Sequence, residues 1–226
     1  MNEVRPMPAL PACFTRDADL AAFIATVGPC RLHEQTTPDP QTADPYASLI
    51  KAVTGQQLHN AAARTIFRRL CALGAYHDEN GPPPAPQELL ALDDATLRRC
   101  GLSAAKTASL RAIARGRLDG LVPDLAEAHR LDDATLMARL TSLRGVGQWT
   151  VEMFLIFHLG RPDVLPSGDL GVQEGWRRLK KLPVRPTPRQ LRDATAGFSP
   201  HRSMLAWYCW QAKARLPDPA PPSKKP

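Results

Sequence analysis

Apolar residues recur along most of this chain at the three- and four-residue spacing of one helix face. Leu20, Phe23, Ile24 and Val27 form one such stripe, Leu49, Ile50 and Val53 a second, and Ala62, Ile66, Leu70 and Leu73 a third. The strict alternation of a half-buried strand is rare, so the pattern predicts a mainly helical chain. Val151 to Leu159 (VEMFLIFHL) is almost uniformly apolar and is expected to form a buried helix. Arg161 to Asp169 (RPDVLPSGD) is too short and too broken by proline to be helical.

The sextet LDDATL occurs at Leu92 to Leu97 and again at Leu131 to Leu136. Each Asp-Asp pair suits an N-cap and first turn, where an acceptor and a negative charge are favoured, so each copy is expected to start a helix. The first runs toward GLSAAKTASL and the second toward LRGVGQWT. They are either a duplicated helix–turn–helix device or two ordinary capped helices. Proline concentrates at Arg5 to Pro11, Gly81 to Pro86 and Leu216 to Pro226. His77 to Pro86 reads as a surface loop between helices. Residues 216–226 (LPDPAPPSKKP) read as a disordered tail.

With 226 residues the chain can form one large domain or two small ones. Its net charge of +7 favours a polyanionic partner, or serves only solubility. The five cysteines are odd in number, scattered and without C-x-x-C spacing, which argues against a disulfide framework, a zinc site or an iron–sulfur cluster. No apolar run is long enough for a membrane span and no signal-peptide core is visible, so no membrane association and a soluble, cytoplasmic protein are expected.

The segment with the most specific chemistry is Leu143 to Thr150 (LRGVGQWT). One helix ends, Gly145 and Gly147 make a tight turn, and a second helix begins. Both glycines are expected to allow positive φ and close backbone approach to another molecule. Amides there and in the first turn of the next helix, at Gln148 and Thr150, suit a phosphate. A plain helix–helix turn would look the same. Downstream, Pro166 and Gly168 force a turn and Asp169 opens another helix. Asp169 is either a simple N-cap or a carboxylate presented to a cleft.

Taken together, LRGVGQWT and PSGD resemble the helix-hairpin-helix DNA glycosylases, with their Gly/Pro-rich loop and catalytic aspartate. LIKAVTGQQLHNAAARTIFRRL (Leu49 to Leu70) is similar to the superfamily's G-Q-Q helix junction. GLSAAKTASLRAIA and SPHRSMLAWYCW are similar to its G-L-S-x-x-K segment and closing helix. The order and spacing fit best the 3-methyladenine DNA glycosylase II branch, which excises alkylated bases.

The resemblance implies an all-α, two-lobed fold with a DNA cleft between the lobes. Residues 1–45 with 160–215 would form one lobe and 46–159, with the hairpin, the other. The N-terminal β-rich domain of some alkylpurine glycosylases is expected to be absent, as is the four-cysteine cluster of some members. Asp169 would be the catalytic carboxylate. Trp210 would line the base pocket, with Trp149, Met153 and Phe154 as further candidates and Trp207 and Tyr208 as weaker ones; each aromatic could equally be core. Gln57, Leu58 and His59 match the region that presents the wedge filling the hole left by a flipped nucleotide. The carbonyls of Thr141, Leu143 and Val146 would hold a monovalent cation, with no other cofactor required. Arg144, Arg161, Arg202 and Lys106 would touch phosphates or be solvated charges. Trp149 stands where bifunctional members carry a lysine nucleophile, so Schiff-base chemistry is not expected.

The implied activity is removal of 3-methyladenine and 7-methylguanine from double-stranded DNA by a monomer. Such purines are cationic and already good leaving groups, so the enzyme must expose the bond, stabilise positive charge on the sugar and supply water. A glycosylase for deaminated, etheno, oxidised or mispaired bases would share Asp169 and the hairpin. A non-catalytic DNA-binding module would keep the hairpin and use Asp169 only as a cap.

Overall fold

The computed structural model describes residues 10–35 and 43–219, and every regular element in them is helical. The chain divides into two compact units, Met1–His33 with Arg161–Pro226, and Glu34–Gly160. Of the described residues expected in the chain-end lobe, 34, 35 and 43–45 therefore go with the hairpin unit. Asp44 shows why: its carboxylate accepts the Tyr46 amide at 2.8 Å and pairs with Arg117 at 2.8 Å, both inside that unit.

In the unit built from the chain ends, α1 (Ala12–Arg16) and α2 (Ala18–Val27) precede a short α3 (Leu32–Gln35) at the boundary. The hairpin unit runs through α4 (Pro45–Gly55), α5 (Asn60–Cys71), α6 (Pro86–Ala91), α7 (Asp94–Arg99) and α8 (Ala104–Leu118). It closes with α9 (Leu125–Arg130), α10 (Asp133–Thr141) and α11 (Gln148–Met153), which continues as a π-helix over Phe154–His158. The chain-end unit resumes with α12 (Leu170–Leu179), α13 (Pro188–Ala194) and α14 (Arg202–Arg215).

Both LDDATL copies start helices. Asp93 accepts the Thr96 amide and Asp132 the Thr135 amide, so each first aspartate is the cap and each second lies in the first turn. Each helix then ends at a glycine with positive φ or in a glycine turn, Gly101 (φ 101°) after α7 and Gly145 (φ 81°) after α10. The repeat is thus a structural device used twice.

Leu49, Ile50 and Val53 are buried, as their stripe predicts, and so are Val151 and Phe154 to Ile156. The α5 stripe is displaced. Phe67, Leu70 and Cys71 are buried there, whereas Ala62 is exposed and Ile66 half-buried against Gly101. The larger ring of Phe67 takes the inward position that periodicity alone gave to Ile66. The proline loop is also more structural than a surface loop. Pro83 and Pro84 are buried, the Pro84 carbonyl accepts the Tyr46 hydroxyl at 2.9 Å, and Pro86 opens α6.

The chain-end unit has its own core, in which Phe14, Leu20, Phe23, Trp176, Leu205 and Tyr208 are buried. The expected tail begins later than Leu216. The Leu216 carbonyl accepts from Arg178 at 2.6 Å and the Asp218 carboxylate pairs with Arg177, which ties this stretch to α12. Residues 220–226 lie outside the described residues. All five cysteines are free thiols.

The loop leading to Asp169 is fastened to α14. Arg202 grips Asp163 through Nε (2.7 Å), Nη2 (2.8 Å) and its amide (3.1 Å), and the Ser199 hydroxyl donates to the same carboxylate at 2.7 Å. These contacts hold the Asp163 carboxyl at about 2, below its ordinary 3.8. A carboxyl held low in the folded state adds stability above its ordinary value, and that stability is lost as pH falls from there through about 2. Asp163→Asn is expected to lower unfolding free energy at neutral pH by about 1–2 kcal/mol and to flatten the acid limb of stability. Denaturant melts between pH 2 and 7 check this; an unchanged acid limb would contradict it.

Candidate active site

Asp169 is the N-cap of α12. Its Oδ1 accepts the Val172 amide at 2.8 Å and the Trp210 indole Nε1–H at 3.1 Å. One bond is the ordinary capping interaction. The other comes from α14 and fixes the carboxylate's direction, which a cap alone does not require. The segment before it is equally restrained. The buried Gln173 amide donates to the Ser167 carbonyl at 2.7 Å, and Arg192 donates to the Ser167 hydroxyl at 2.8 Å. Asp169 remains half-buried. Its charge also reaches Cys209, whose thiol pKa is pushed up first by complete burial and then by that carboxylate.

Two glycines bring Trp210 to this carboxylate. A Cβ on Gly175 would lie 1.8 Å from the Cys209 carbonyl oxygen, so α12 and α14 touch backbone to backbone there. A Cβ on Gly171 would lie 2.9 Å from Asp169 Oδ1 and 3.0 Å from Trp210 Cδ1. Neither contact leaves room for a side chain. The four-residue spacing of Gly171 and Gly175 is the trace of this contact in the sequence, though it does not name the partner helix.

In the hairpin unit the two glycines differ. Gly145 has φ 81°, and a Cβ on it would lie 2.0 Å from Ser109 Oγ. Gly147 corrects the expectation of positive φ at both: its φ is −91°, in the extended range. A Cβ on Gly147 would meet nothing within 4 Å. Neither positive φ nor packing requires a glycine there; it is a favoured N-cap residue, and it leaves the amide accessible to another molecule. The first helical bond is Val151 N–H to the Gly147 carbonyl, so the Gly147, Gln148 and Thr150 amides precede the intrahelical ladder.

Gln57, Leu58 and His59 are exposed on the turn between α4 and α5, and Gln57 sits at φ 58°, a conformation unfavourable for a side-chain-bearing residue. The neighbouring Gln56, passed over in the sequence, ties that turn to the hairpin. Its Nε2 donates to the Gly145 carbonyl at 3.1 Å and the Thr150 hydroxyl at 3.2 Å. Lys106 donates to the Thr54 carbonyl, in the last turn of α4, at 2.7 Å, and burial pushes its pKa down.

Several candidates take other roles. The Thr150 side chain is buried on Gln56, so only its amide could meet DNA. The Gln148 amide group donates to buried Glu152 at 2.8 Å. Phe154 is core, stacked on His158 with centroids 4.9 Å apart, and Met153 is half-buried. Trp207 and Tyr208 are core, the latter donating to the Gly28 carbonyl. Trp149 is 49% exposed on the first turn of α11. Arg202 spends Nε and Nη2 on Asp163, and Lys106 one donor on the Thr54 carbonyl. Arg144 is exposed and Arg161 half-buried. Among the described residues no cluster of His, Cys, Asp and Glu could hold a metal.

The hairpin glycines give opposite expectations for alanine. Gly145→Ala is expected to destabilise the fold by about 2 kcal/mol or more, through positive φ and the Ser109 clash. Gly147→Ala is expected to cost about 1 kcal/mol or less, through the poorer N-cap, and to weaken duplex binding roughly 10-fold, its methyl hindering the expected approach of a phosphate. Melting curves and fluorescence anisotropy with a labelled duplex separate the two; unchanged binding by Gly147→Ala would refute the phosphate role.

The family described as "HhH-GPD superfamily base excision DNA repair protein" matches residues 50–200. The chain is 42% identical over 175 residues to DNA-3-methyladenine glycosylase 1 of Schizosaccharomyces pombe, covering 77% of this chain and 75% of that protein. The solved S. pombe 3-methyladenine DNA glycosylase in complex with abasic DNA superposes with a TM-score of 0.73 at 38% identity, over 85% of this chain and 90% of that one. A Bacillus halodurans DNA-3-methyladenine glycosidase matches with a TM-score of 0.69 at 28% identity, over 89% and 91%. With a glycine hairpin, a capped aspartate and a family match across two thirds of its length, this chain belongs to the HhH-GPD superfamily of base excision DNA repair proteins.

Proposed function

We propose that this protein is a monofunctional DNA glycosylase of the 3-methyladenine glycosylase II type. It excises 3-methyladenine and 7-methylguanine from damaged double-stranded DNA by hydrolysing the N-glycosidic bond. The observation that carries this is the Asp169 carboxylate, oriented by the Val172 amide and the Trp210 indole. The identity to a named 3-methyladenine glycosylase supports the substrate class.

The chemistry follows from charge. The alkylated purine carries a positive charge before the bond breaks and needs little help from a general acid. As it departs, positive charge builds on the deoxyribose, and a preorganised carboxylate stabilises it without solvent reorganisation. The same oxygens can align the attacking water. The Trp210 ring, half-buried beside Asp169, offers an electron-rich face to a cationic base. The hairpin amides hold a phosphate, and an exposed side chain among Gln57, Leu58 and His59 occupies the hole left by the flipped nucleotide. No amine stands at Trp149, so the strand is left uncut.

Thr141 is the last residue of α10, and Leu143 and Val146 follow it in the hairpin. The Leu143 carbonyl accepts the Val146 amide at 3.1 Å and keeps a second lone pair. Helix-end carbonyls with spare lone pairs are a donor set that fits a sodium or potassium ion. The proposed enzyme acts as a monomer in the cytoplasm, at the nucleoid if the source is bacterial; among the described residues no helix is long and apolar enough to cross a membrane.

Asp169→Asn keeps a capping oxygen and removes the charge. It is expected to lower release of methylated purines by roughly 100-fold or more while duplex binding persists. Quantifying bases released from methylated, deaminated and etheno-containing duplexes checks both catalyst and substrate. Release of methylated purines at the unmodified rate would refute the role of Asp169, and preferred release of a deaminated or etheno base would refute the substrate class.

A further inference from the structure

The turn that carries Gln57, Leu58 and His59 has no glycine at its left-handed position. Gln57 holds φ 58° just after the end of α4, where glycine is the usual residue. Two backbone bonds shape the turn, from the Gln56 amide to the Val53 carbonyl at 3.3 Å and from the Leu58 amide to the Gly55 carbonyl at 3.2 Å. The Thr54 carbonyl between them takes the Lys106 ammonium at 2.7 Å. The helix dipole also favours a cation at that end of α4.

Lys106 comes from α8, which supports the hairpin as well. Ser109 lies three residues on and so shares its face. It is buried, and its hydroxyl donates back to the Ala105 carbonyl at 3.0 Å. It packs so closely on Gly145 that a Cβ there would lie 2.0 Å from Ser109 Oγ. One face of α8 thus touches both the end of α4 and the hairpin, and Gln56 bonds those two to each other at Gly145 and Thr150.

We propose that Lys106 is a positioning residue for base extrusion: by capping α4 it keeps the Gln57–His59 turn in register with the hairpin while the wedge enters the duplex. This rests on the glycosylase reading above and concerns its flipping step alone. Lys106 need not touch DNA. A left-handed glutamine persists only where its neighbours hold it. Without the ammonium, a carbonyl at the end of α4 loses its partner and the turn can relax under load. The loss falls on taking the base out of the stack, which costs most when the lesion is well paired.

The test measures single-turnover release of 7-methylguanine at saturating protein from two duplexes, one with the lesion opposite cytosine and one with it opposite thymine. Lys106→Met keeps the aliphatic stem and removes the donor. It is expected to slow release from the paired duplex by roughly 10-fold and from the mispaired one by less than about 3-fold. Lys106→Arg, which keeps a donor, is expected to recover most of the rate on the paired duplex. Should Lys106→Met fail to melt cooperatively, Lys106→Gln is read for the same contrast. Equal losses on both duplexes, no loss on either, or an arginine variant as slow as the methionine one overturns the positioning role and leaves the glycosylase reading standing. Absence of release from both duplexes by the unmodified protein overturns that reading instead.

Discussion

The approach of α12 to α14 at Gly175 is the constraint on which the orientation of Asp169, the proposed catalytic group, depends. Because the backbones touch there, the first turn of α12 lies against the indole of Trp210, and Asp169 receives two donors on one oxygen. A cap bond alone would satisfy a helix start and leave the carboxylate free to rotate with its solvent. The second donor converts a structural aspartate into an oriented charge. The pinning of Ser167 by Gln173 and Arg192, and of Asp163 by Arg202 and Ser199, shows the same investment along the whole loop before it.

The hairpin unit solves a different problem, the presentation of backbone rather than of a side chain. Gly145 is fixed by conformation and by Ser109, whereas Gly147 faces open space. Gln56 then joins hairpin and wedge turn through a single amide group. The proposed strand grip and the proposed wedge are therefore joined by direct hydrogen bonds within this unit. The left-handed Gln57 at the tip fits that picture, since an unfavourable backbone persists only where its surroundings hold it.

Much of this was legible in the amino-acid sequence, because helix periodicity and capping are local. LDDATL announced two helix starts, RPDVLPSGD announced its irregular loop, and Asp169 announced a cap. Contacts between distant segments were not legible. Nothing local distinguishes Gln56, which turns inward, from Gln57, which turns outward. Phe154 belongs to a segment, Val151 to Leu159, that is apolar nearly all round, so periodicity could not say which side met solvent. Arg202 and Lys106 read as free cations until Asp163, thirty-nine residues before Arg202, and the Thr54 carbonyl supplied their partners. The α12–α14 contact was written only as two glycines four apart, a spacing that becomes meaningful once α14 is known to lie there.

The central physical claim is that an indole N–H directs the carboxylate that stabilises the departing base's sugar. Trp210→Phe tests it most directly, since phenylalanine keeps an aromatic face for a cationic purine and deletes the donor. The decisive quantity is the single-turnover rate of 7-methylguanine release at saturating protein. Loss of one hydrogen bond to a charged group, about 1.5–3 kcal/mol, predicts a rate lower by roughly 10- to 100-fold. A rate equal to that of the unmodified protein would contradict the account.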